Sequence, residues 1–388
     1  MKSMFKKFAA VVLALAMVLS LAACGGSNYT SGNTEFVIGV SGPLTGPAAV
    51  YGTAVKNSAQ MAVDEINANG GLNGVKFKLV ATDDTHDATK VAANYASMLE
   101  GGMQVSLGAV TTAPGLEFTK LSAEDNVFFI TPSASGDAIP ANDNGFQMCF
   151  ADGNQGKVAA DYVNSLGLTE IGIFYKSDDA YSNGIYKQFK ENLDSSIKTV
   201  EAVFTDTNAT DFSSQITTLK DCKFIFMPIY YEPATIFLTQ AKNTIAADAV
   251  YYGCDGFDGL AGQFEDFSVI PQEVSMLSHF DSNATDGAAG DFIKKYTDKF
   301  GTETLNQFGA SAYDCVYAIY EAMKAAVDAG TEIDVTISAS DLCEILKEQF
   351  TGDFTFSGVT GNNITWEDNG YVSKEAVKYT LKTANSAQ

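Results

Sequence analysis

Two short segments rich in hydroxyl side chains could bind an anion without help from a cation. Thr111 and Thr112 follow the apolar run Val105 to Val110, and Thr131 to Ser135 follow the apolar run Val127 to Ile130. Hydroxyls beside the start of a helix lie next to unpaired backbone N–H groups, and the two together suit a carboxylate. Since the sequence contains no arginine, a guanidinium fork cannot hold that group.

Aromatic side chains and one carboxylate come after other apolar runs further along the chain. Tyr181 and Tyr230 lie just beyond two such runs, and Asp255 follows the run Tyr251 to Cys254. Each of these residues alone is explained as well by helix capping or by packing. As a set, hydroxyls from one part of the chain and a carboxylate from another match the two charged ends of an α-amino acid.

The sequence gives little support to an enzymatic function. The sequence contains only two histidines, His86 and His279, and neither lies near a serine or cysteine in an elbow motif. The run Asp83 to Asp87 could bind a metal ion, but an acidic loop at the end of a strand is usually only solvated. We therefore expect no catalysis, no metal ion and no cofactor.

The N-terminal segment has the pattern of an export signal. Three lysines precede the apolar run Phe8 to Leu21, which ends in Leu-Ala-Ala-Cys at Cys24. This run is too short for a spanning helix, and its end resembles the lipobox of bacterial lipoproteins. We expect residues 1–23 to be a signal peptide, Cys24 to be lipidated, and residues 24–34 to form a polar tether on the extracytoplasmic face of the membrane. A plain secretory signal with a chance cysteine is the alternative.

The net charge and the number of cysteines exclude one class of partner and argue against two kinds of site. Cleavage after residue 23 leaves 21 lysines against 47 carboxylates, a net charge of −26. Repulsion between such a chain and phosphates excludes nucleic acid as a partner. The five cysteines beyond Cys24 are odd in number and lack paired short spacing, so neither a disulfide framework nor a zinc site is indicated.

The apolar pattern predicts an α/β fold of two doubly wound, Rossmann-like lobes, because strand-like runs alternate with helical patterns twice along the chain. The predicted strands are 36–40, 77–81, 105–110, 127–130, 171–175, 199–204, 224–229, 250–253 and 274–277. The predicted helices of this part are 50–69, 183–193, 211–219 and 233–243.

The last third departs from this alternation. Its periodicity predicts three helices near 286–300, 307–329 and 339–350. A hairpin around an Asn-Gly turn is expected at Ile364 to Val372, followed by a strand over 376–382.

Six short motifs stand in an order and spacing that are specific in combination. They are Ile38 to Pro43, Tyr51-Gly52, Ala62 to Asn67 with Gly70-Gly71, Ile130-Thr131-Pro132, Gly253 to Gly256, and Ile364-Thr365-Trp366. Over essentially the whole mature sequence, they resemble the leucine/isoleucine/valine-binding proteins, type I periplasmic binding proteins that serve branched-chain amino-acid ABC transporters. The resemblance implies a monomeric, lipid-anchored receptor that delivers a small amino acid to permease subunits.

The resemblance also implies a role for seven residues. Tyr51 would cover the ligand from the first lobe, Thr112 and Ser135 would bind its carboxylate, and the carbonyl of Ser133 would accept from its ammonium. Tyr181 and Tyr230 match aromatic residues of the second lobe, and Asp255 stands where many relatives carry the glutamate that pairs with the ammonium. Threonine for serine at 112 and aspartate for glutamate at 255 alter the reach of both groups, so the ligand need not be leucine.

Lobe boundaries and one rival function follow from the same resemblance. It implies an N-terminal lobe of residues 35–150 plus 281–335 and a C-terminal lobe of residues 151–280 plus 351–382, joined by hinge crossovers. Amide, urea or nucleoside receptors use this fold as well and remain the alternative. Such ligands have no ammonium to pair with Asp255.

Overall fold

The computed structural model describes residues 32–384. The predicted signal peptide, Cys24 and most of the predicted tether lie outside the described residues. The strands within this range are β1 Phe36–Gly42, β2 Phe77–Asp83, β3 Val105–Ala109, β4 Phe129–Thr131, β5 Gly145–Gln147, β6 Glu170–Lys176, β7 Lys198–Phe204, β8 Phe224–Met227, β9 Val250–Gly253, β10 Glu273–Ser278 and β11 Val377–Lys382. The α-helices are α1 Ala49–Ala68, α2 Val91–Glu100, α3 Thr112–Asp125, α4 Asp152–Ser165, α5 Ala180–Asn192, α6 Ser213–Leu219, α7 Tyr231–Ala241, α8 Gly287–Phe300, α9 Gln307–Asp328 and α10 Ala339–Thr351.

The strands form two separate sheets, one for each half of the alternating pattern. The first sheet is parallel and has the strand order β2-β1-β3-β4-β5. The second has the order β11-β10-β9-β8-β6-β7, in which only β11 runs antiparallel to its neighbour. In both sheets the chain winds outward in two directions, so the predicted α/β fold of two doubly wound lobes is confirmed.

Helices cover both faces of the first sheet, which explains why its inner strand β1 is buried throughout and mostly apolar. All seven residues of β1 are buried. Ile38 and Val40 face a core shared with α1 and α9, whereas Val37 faces a second core with α2 and α3. A parallel strand buried on both faces has no reason to alternate with polar residues.

The helices after β10 pack on the first lobe. Lys295 of α8 forms an ion pair with Glu65 of α1 at 3.1 Å, and the hydroxyls of Tyr313 and Tyr317 of α9 donate to the same carboxylate at 2.6 and 3.0 Å. β11 instead extends the second sheet. The chain therefore passes between the sheets at 148–151, at 279–286 and before β11, and the lobe boundaries given above stay a prediction.

The predicted hairpin at 364–372 forms only a turn with an isolated antiparallel bridge between Trp366 and Val372. Its polar groups bond outward to β5 of the first lobe. The indole N–H of Trp366 donates to the carbonyl of Gln147 at 2.8 Å, and the N–H of Gln147 donates to the carbonyl of Gly370 at 3.0 Å. The hairpin is also closed on itself, because the N–H of Glu367 donates to the carbonyl of Tyr371 and the N–H of Ser373 donates to the carbonyl of Thr365, both at 2.9 Å. Within residues 32–384, no helix has the length and apolar character needed to cross a membrane.

Candidate functional site

The site begins at the N-terminus of α3, where one hydroxyl has no partner. Thr111 is the N-cap residue, with extended backbone angles and no side-chain capping bond, so the first N–H groups of the helix are not bonded within it. Thr112, the first helical residue, is 2% exposed. Its Oγ1 is buried without a hydrogen-bond partner among the described residues. A buried hydroxyl beside free N–H groups suits an anion.

Ser133 and Ser135 lie in the loop after β4, and both are buried. Thr131 shapes this loop, because its Oγ1 accepts from the N–H groups of Ser133 and Ala134 at 3.3 and 2.9 Å. The carbonyl of Ser135 accepts from the N–H of Asp152 at 2.8 Å. The first residue of α4 is thereby fixed to the loop of the first lobe.

Asp255 is fully enclosed in the second lobe. It is 2% exposed, and its Oδ1 accepts a hydrogen bond of 2.6 Å from the hydroxyl of Tyr181. The N–H of Asp255 donates to Oε1 of Gln155 at 3.0 Å, while Nε2 of Gln155 donates to Oδ1 of Asp152 at 3.4 Å. Gln155 therefore connects the Asp152 carboxyl group to the backbone of Asp255.

The electrostatics of Asp255 follow from this enclosure. Burial raises its pKa to about 7, because a dry environment penalises the charged form. Hydrogen bonds from Tyr181, Gln155 and the N–H of Gly256 favour the charged form and limit the rise. The pKa of Asp255 thus lies near neutral pH, and a cation brought close to its carboxyl group would keep that group ionised.

Gly256 joins the lobes through its backbone. Its N–H donates to the Tyr181 hydroxyl at 2.8 Å, and its carbonyl accepts from the Tyr51 hydroxyl, on α1 of the first lobe, at 2.6 Å. A Cβ at this position would lie 2.7 Å from the Tyr181 oxygen and 2.8 Å from the carbonyl of Ile229. Only glycine therefore allows this approach.

Tyr230 makes a second contact between the lobes. Its ring stacks on Tyr181 with 4.4 Å between centroids and meets the edge of His86, from the loop after β2, at 5.2 Å. Nδ1 of His86 is 2.9 Å from the hydroxyl of Thr111. Burial lowers the pKa of His86, so the ring is neutral at pH 7.

The acidic run at 83–87 uses its carboxylates to hold its own loop. Oδ1 of Asp83 accepts from the N–H groups of Leu44 and Thr85, Asp84 accepts from the hydroxyl of Ser41, and Asp87 caps a short helical turn. In the part of the chain that the structure describes, no group of three acidic, histidine or cysteine side chains is placed to hold a metal ion. The cysteines at 149, 222, 254, 315 and 343 are all buried and free.

The seven residues named from the sequence divide into two groups. Tyr51, Tyr181, Tyr230 and Asp255 lie within one cluster of hydrogen bonds and ring contacts. Thr112, Ser133 and Ser135 lie beyond β3 and β4 of the first sheet, and Ser135 is joined to that cluster through two other residues.

Those two linking residues, Asp152 and Gln155, were missed by the sequence reasoning. An acidic residue in the first turn of a helix is explained by the helix dipole alone. A glutamine three residues later does not by itself indicate a role in binding. Their position directly after the crossover at Phe150 was the available clue.

Comparison with known proteins gives consistent findings. A family model described as a periplasmic binding protein matches residues 35–381. The Leu/Ile/Val-binding protein BraC3 of Rhizobium johnstonii is 28% identical over 317 residues, which cover 80% of this chain and 84% of that protein.

Two solved structures have the same fold. The substrate-binding protein LivJ of a branched-chain amino acid transporter from Streptococcus pneumoniae, in complex with isoleucine, superposes with a TM-score of 0.77 at 25% identity, over 90% of this chain and 96% of that chain. The leucine-binding protein LivK from Thermotoga maritima gives a TM-score of 0.76 at 21% identity, over 89% and 95% of the two chains.

Proposed function

The chain belongs to the periplasmic binding protein family, and from that premise we propose that it captures a small amino acid, branched-chain or similar, between its lobes and delivers it to an ABC importer. Members of this family are extracytoplasmic receptors for substrates. The relative from Rhizobium is named for leucine, isoleucine and valine, and the similar structure from Streptococcus holds isoleucine. Both support the proposed class of ligand.

The first lobe would bind the carboxylate of the amino acid. The unpartnered hydroxyl of Thr112, the free N–H groups that begin α3, and the hydroxyl of Ser135 form a set of neutral donors. Helix N-termini attract anions, and no arginine is needed.

The second lobe would bind the ammonium. Asp255 supplies the charge, and the carbonyl of Ser133 would accept a further bond from the opposite side. The rings of Tyr51, Tyr181 and Tyr230 would enclose the rest of the ligand. The observation that carries the proposal is that a buried acid and a buried unpartnered hydroxyl lie in two lobes that meet through the bond between Tyr51 and Gly256.

A thermal-shift panel of the twenty amino acids together with small amides and nucleosides tests this function. A ligand at a thousandfold above its Kd should stabilise the protein by about 4 kcal/mol, which is a clear rise of the midpoint. We expect the largest rise with a small or branched apolar amino acid. A rise with amides or nucleosides and none with amino acids would overturn the proposal.

Variants of Asp255 and Thr112, which would bind the two charged ends of the amino acid, test the proposal more closely. Removing one partner of a buried charge pair typically costs about 2–5 kcal/mol. Asp255→Ala should therefore weaken binding well over tenfold, and Asp255→Asn nearly as much. Thr112→Ser, which keeps the hydroxyl, serves as the matched mild control. Titration calorimetry measures all three, and an unchanged Kd in Asp255→Ala would contradict the zwitterion arrangement.

We also propose that the protein catalyses no reaction. Nε2 of His279 is 2.7 Å from the hydroxyl of Ser311, but Nδ1 has no partner among the described residues. A serine and histidine pair without a third group to orient the ring lacks the arrangement of a triad. Prolonged incubation with the bound amino acid, followed by mass spectrometry, should return it unchanged.

A further inference from the structure

A cavity of about 140 Å³ lies beside the proposed binding residues and takes its walls from both lobes. His86 and Ala48 line it from the first lobe, and Phe204, Tyr230 and Ile236 line it from the second. The binding scheme above gives this cavity no role. Because most of these walls are apolar, the cavity suits an apolar side chain, and what separates it from the site decides which ligands can use it.

His86 and Tyr230 are shared by the cavity and the proposed site. Their rings meet edge to face with 5.2 Å between centroids. Nδ1 of His86 is 2.9 Å from the hydroxyl of Thr111, which directly precedes Thr112. Tyr230 stacks on the tyrosine that bonds to Asp255. Each ring is thus next to a residue that would bind one charged end of the ligand, and the pair closes the site on the side of the cavity.

The backbone that carries His86 is strained. Thr85 and His86 have φ angles of 53° and 65°, in the left-handed region that few residues other than glycine adopt. Asp83 and Asp84 hold this conformation, because their Oδ1 atoms accept from the N–H groups of Thr85 and His86, each at 2.9 Å. Such strain persists only where the surrounding structure fixes it, and it clusters at functional sites. The loop therefore fixes the place of the His86 ring.

We propose that His86 is a specificity-determining residue, whose ring limits the space for the ligand's side chain and keeps the cavity separate from the site. The inference rests on the proposed function, since it requires an amino acid held at Thr112 and Asp255. Small and branched side chains end at the His86 ring, whereas an aromatic side chain has to displace it to reach the cavity. The receptor therefore binds leucine more tightly than phenylalanine.

Titration calorimetry with L-leucine and L-phenylalanine tests this role through the ratio of the two Kd values. His86→Gly removes the ring, and glycine tolerates the positive φ of the loop. One methylene more or less in an apolar pocket changes discrimination roughly 10- to 200-fold, so the ratio should shift toward phenylalanine by at least about tenfold. A general loss of stability would weaken both ligands alike and leave the ratio unchanged.

Two further variants support the reading of that ratio. His86→Asn suits the left-handed backbone and keeps a polar side chain beside Thr111, but asparagine is shorter than histidine. The ratio should therefore shift in the same direction by less than in His86→Gly. Asp161→Asn is the neutral control, because Asp161 is exposed on α4 and its one bond within the described residues is to Lys157 at 2.6 Å.

The outcomes distinguish the inference from the function on which it rests. If wild type binds leucine and the ratio is the same in His86→Gly, His86 does not select the side chain, and the inference alone is overturned. Wild type that binds phenylalanine as tightly as leucine would overturn it as well, while the proposed capture of an amino acid would stand. If no amino acid of the panel binds, the proposed function fails, and the inference fails with it.

Discussion

Individual residues determine the chemistry of the cleft. The sequence predicts which residue types lie there better than it predicts which of them are in contact. Asp255 and Tyr181 were both named from the sequence, but their 2.6 Å hydrogen bond joins residues 74 positions apart. Asp152 was missed because its bond to the backbone of Ser135 forms only in the fold. Residue types at strand ends were therefore predictable, and the hydrogen bonds among them were not.

The raised pKa of Asp255 predicts a pH dependence of stability. The unfolded aspartate ionises near pH 3.8 and the folded one near 7. Between these values the folded state binds the extra proton, so the free energy of unfolding falls as pH rises and levels off above about 7. At about 1.4 kcal/mol per unit, removing this group should reduce the fall between pH 4.5 and 7.5 by on the order of 3 kcal/mol.

Denaturant unfolding of Asp255→Asn at both pH values measures this change. Asp84 and Asp258, whose pKa values burial raises to about 6, should leave a smaller fall in the variant. Asp161→Asn should behave as wild type. Equal falls in wild type and Asp255→Asn would show that Asp255 does not hold its proton as inferred.

At the scale of helices and strands, long periodic segments were predicted closely. The helix expected at 307–329 is observed at Gln307–Asp328, and the strand expected at 250–253 is observed at those residues. The hairpin expected near Trp366 is observed as a short one, with a single antiparallel bridge between Trp366 and Val372 and further bonds to β5. Helices α2, α3 and α4 were not predicted as elements, although Val91, Tyr95, Met98 and Leu99 of α2 stand at helical spacing.

Tyr51 of helix α1 connects the two lobes through its hydroxyl group. Its hydroxyl donates to the carbonyl of Gly256 at 2.6 Å and accepts from the N–H of Tyr231 at 3.3 Å. Tyr51→Phe keeps the ring and removes both bonds, each with a net value of about 1 kcal/mol. We expect an affinity loss of roughly five- to thirtyfold, mainly through faster dissociation.

Tyr252→Phe is the matched control for that variant. Tyr252 is equally buried, but its hydroxyl has no hydrogen-bond partner within the described residues. Stopped-flow dissociation of the ligand should be unchanged in Tyr252→Phe and faster in Tyr51→Phe. Equal dissociation rates in all three proteins would mean that the Tyr51 hydroxyl does not hold the lobes together.

At the scale of the whole molecule, the family was predictable because its motifs are spread over both lobes, and the match over residues 35–381 confirms it. Membrane attachment rests on the N-terminal pattern alone, and we propose Cys24 as the acylated residue. Since the acyl chains would be the anchor, Cys24→Ala should move the exported protein from the membrane fraction to the soluble fraction. Retention on membranes would contradict the lipid anchor.

Closure of the two lobes is the last prediction. The described contacts across the cleft near the site include the bonds of the Tyr51 hydroxyl to the backbone of Gly256 and Tyr231, and the ring of His86 on Tyr230. The first lobe offers donors for a carboxylate but only a neutral carbonyl for an ammonium, whereas the charged partner, Asp255, lies in the second lobe. A ligand that bonds to both lobes therefore favours the closed state by its own binding energy, with bending at the crossovers near Phe150 and Phe280.

Small-angle scattering measures this closure directly. The radius of gyration should fall when the wild-type protein is saturated with the amino acid selected by the panel. Asp255→Ala at the same concentration, far below its own Kd, should keep the profile of the free protein, which separates closure from an effect of added solute. Identical wild-type profiles with and without saturating ligand would rule out the hinge, because an amino acid held by both Thr112 and Asp255 cannot leave the lobes apart.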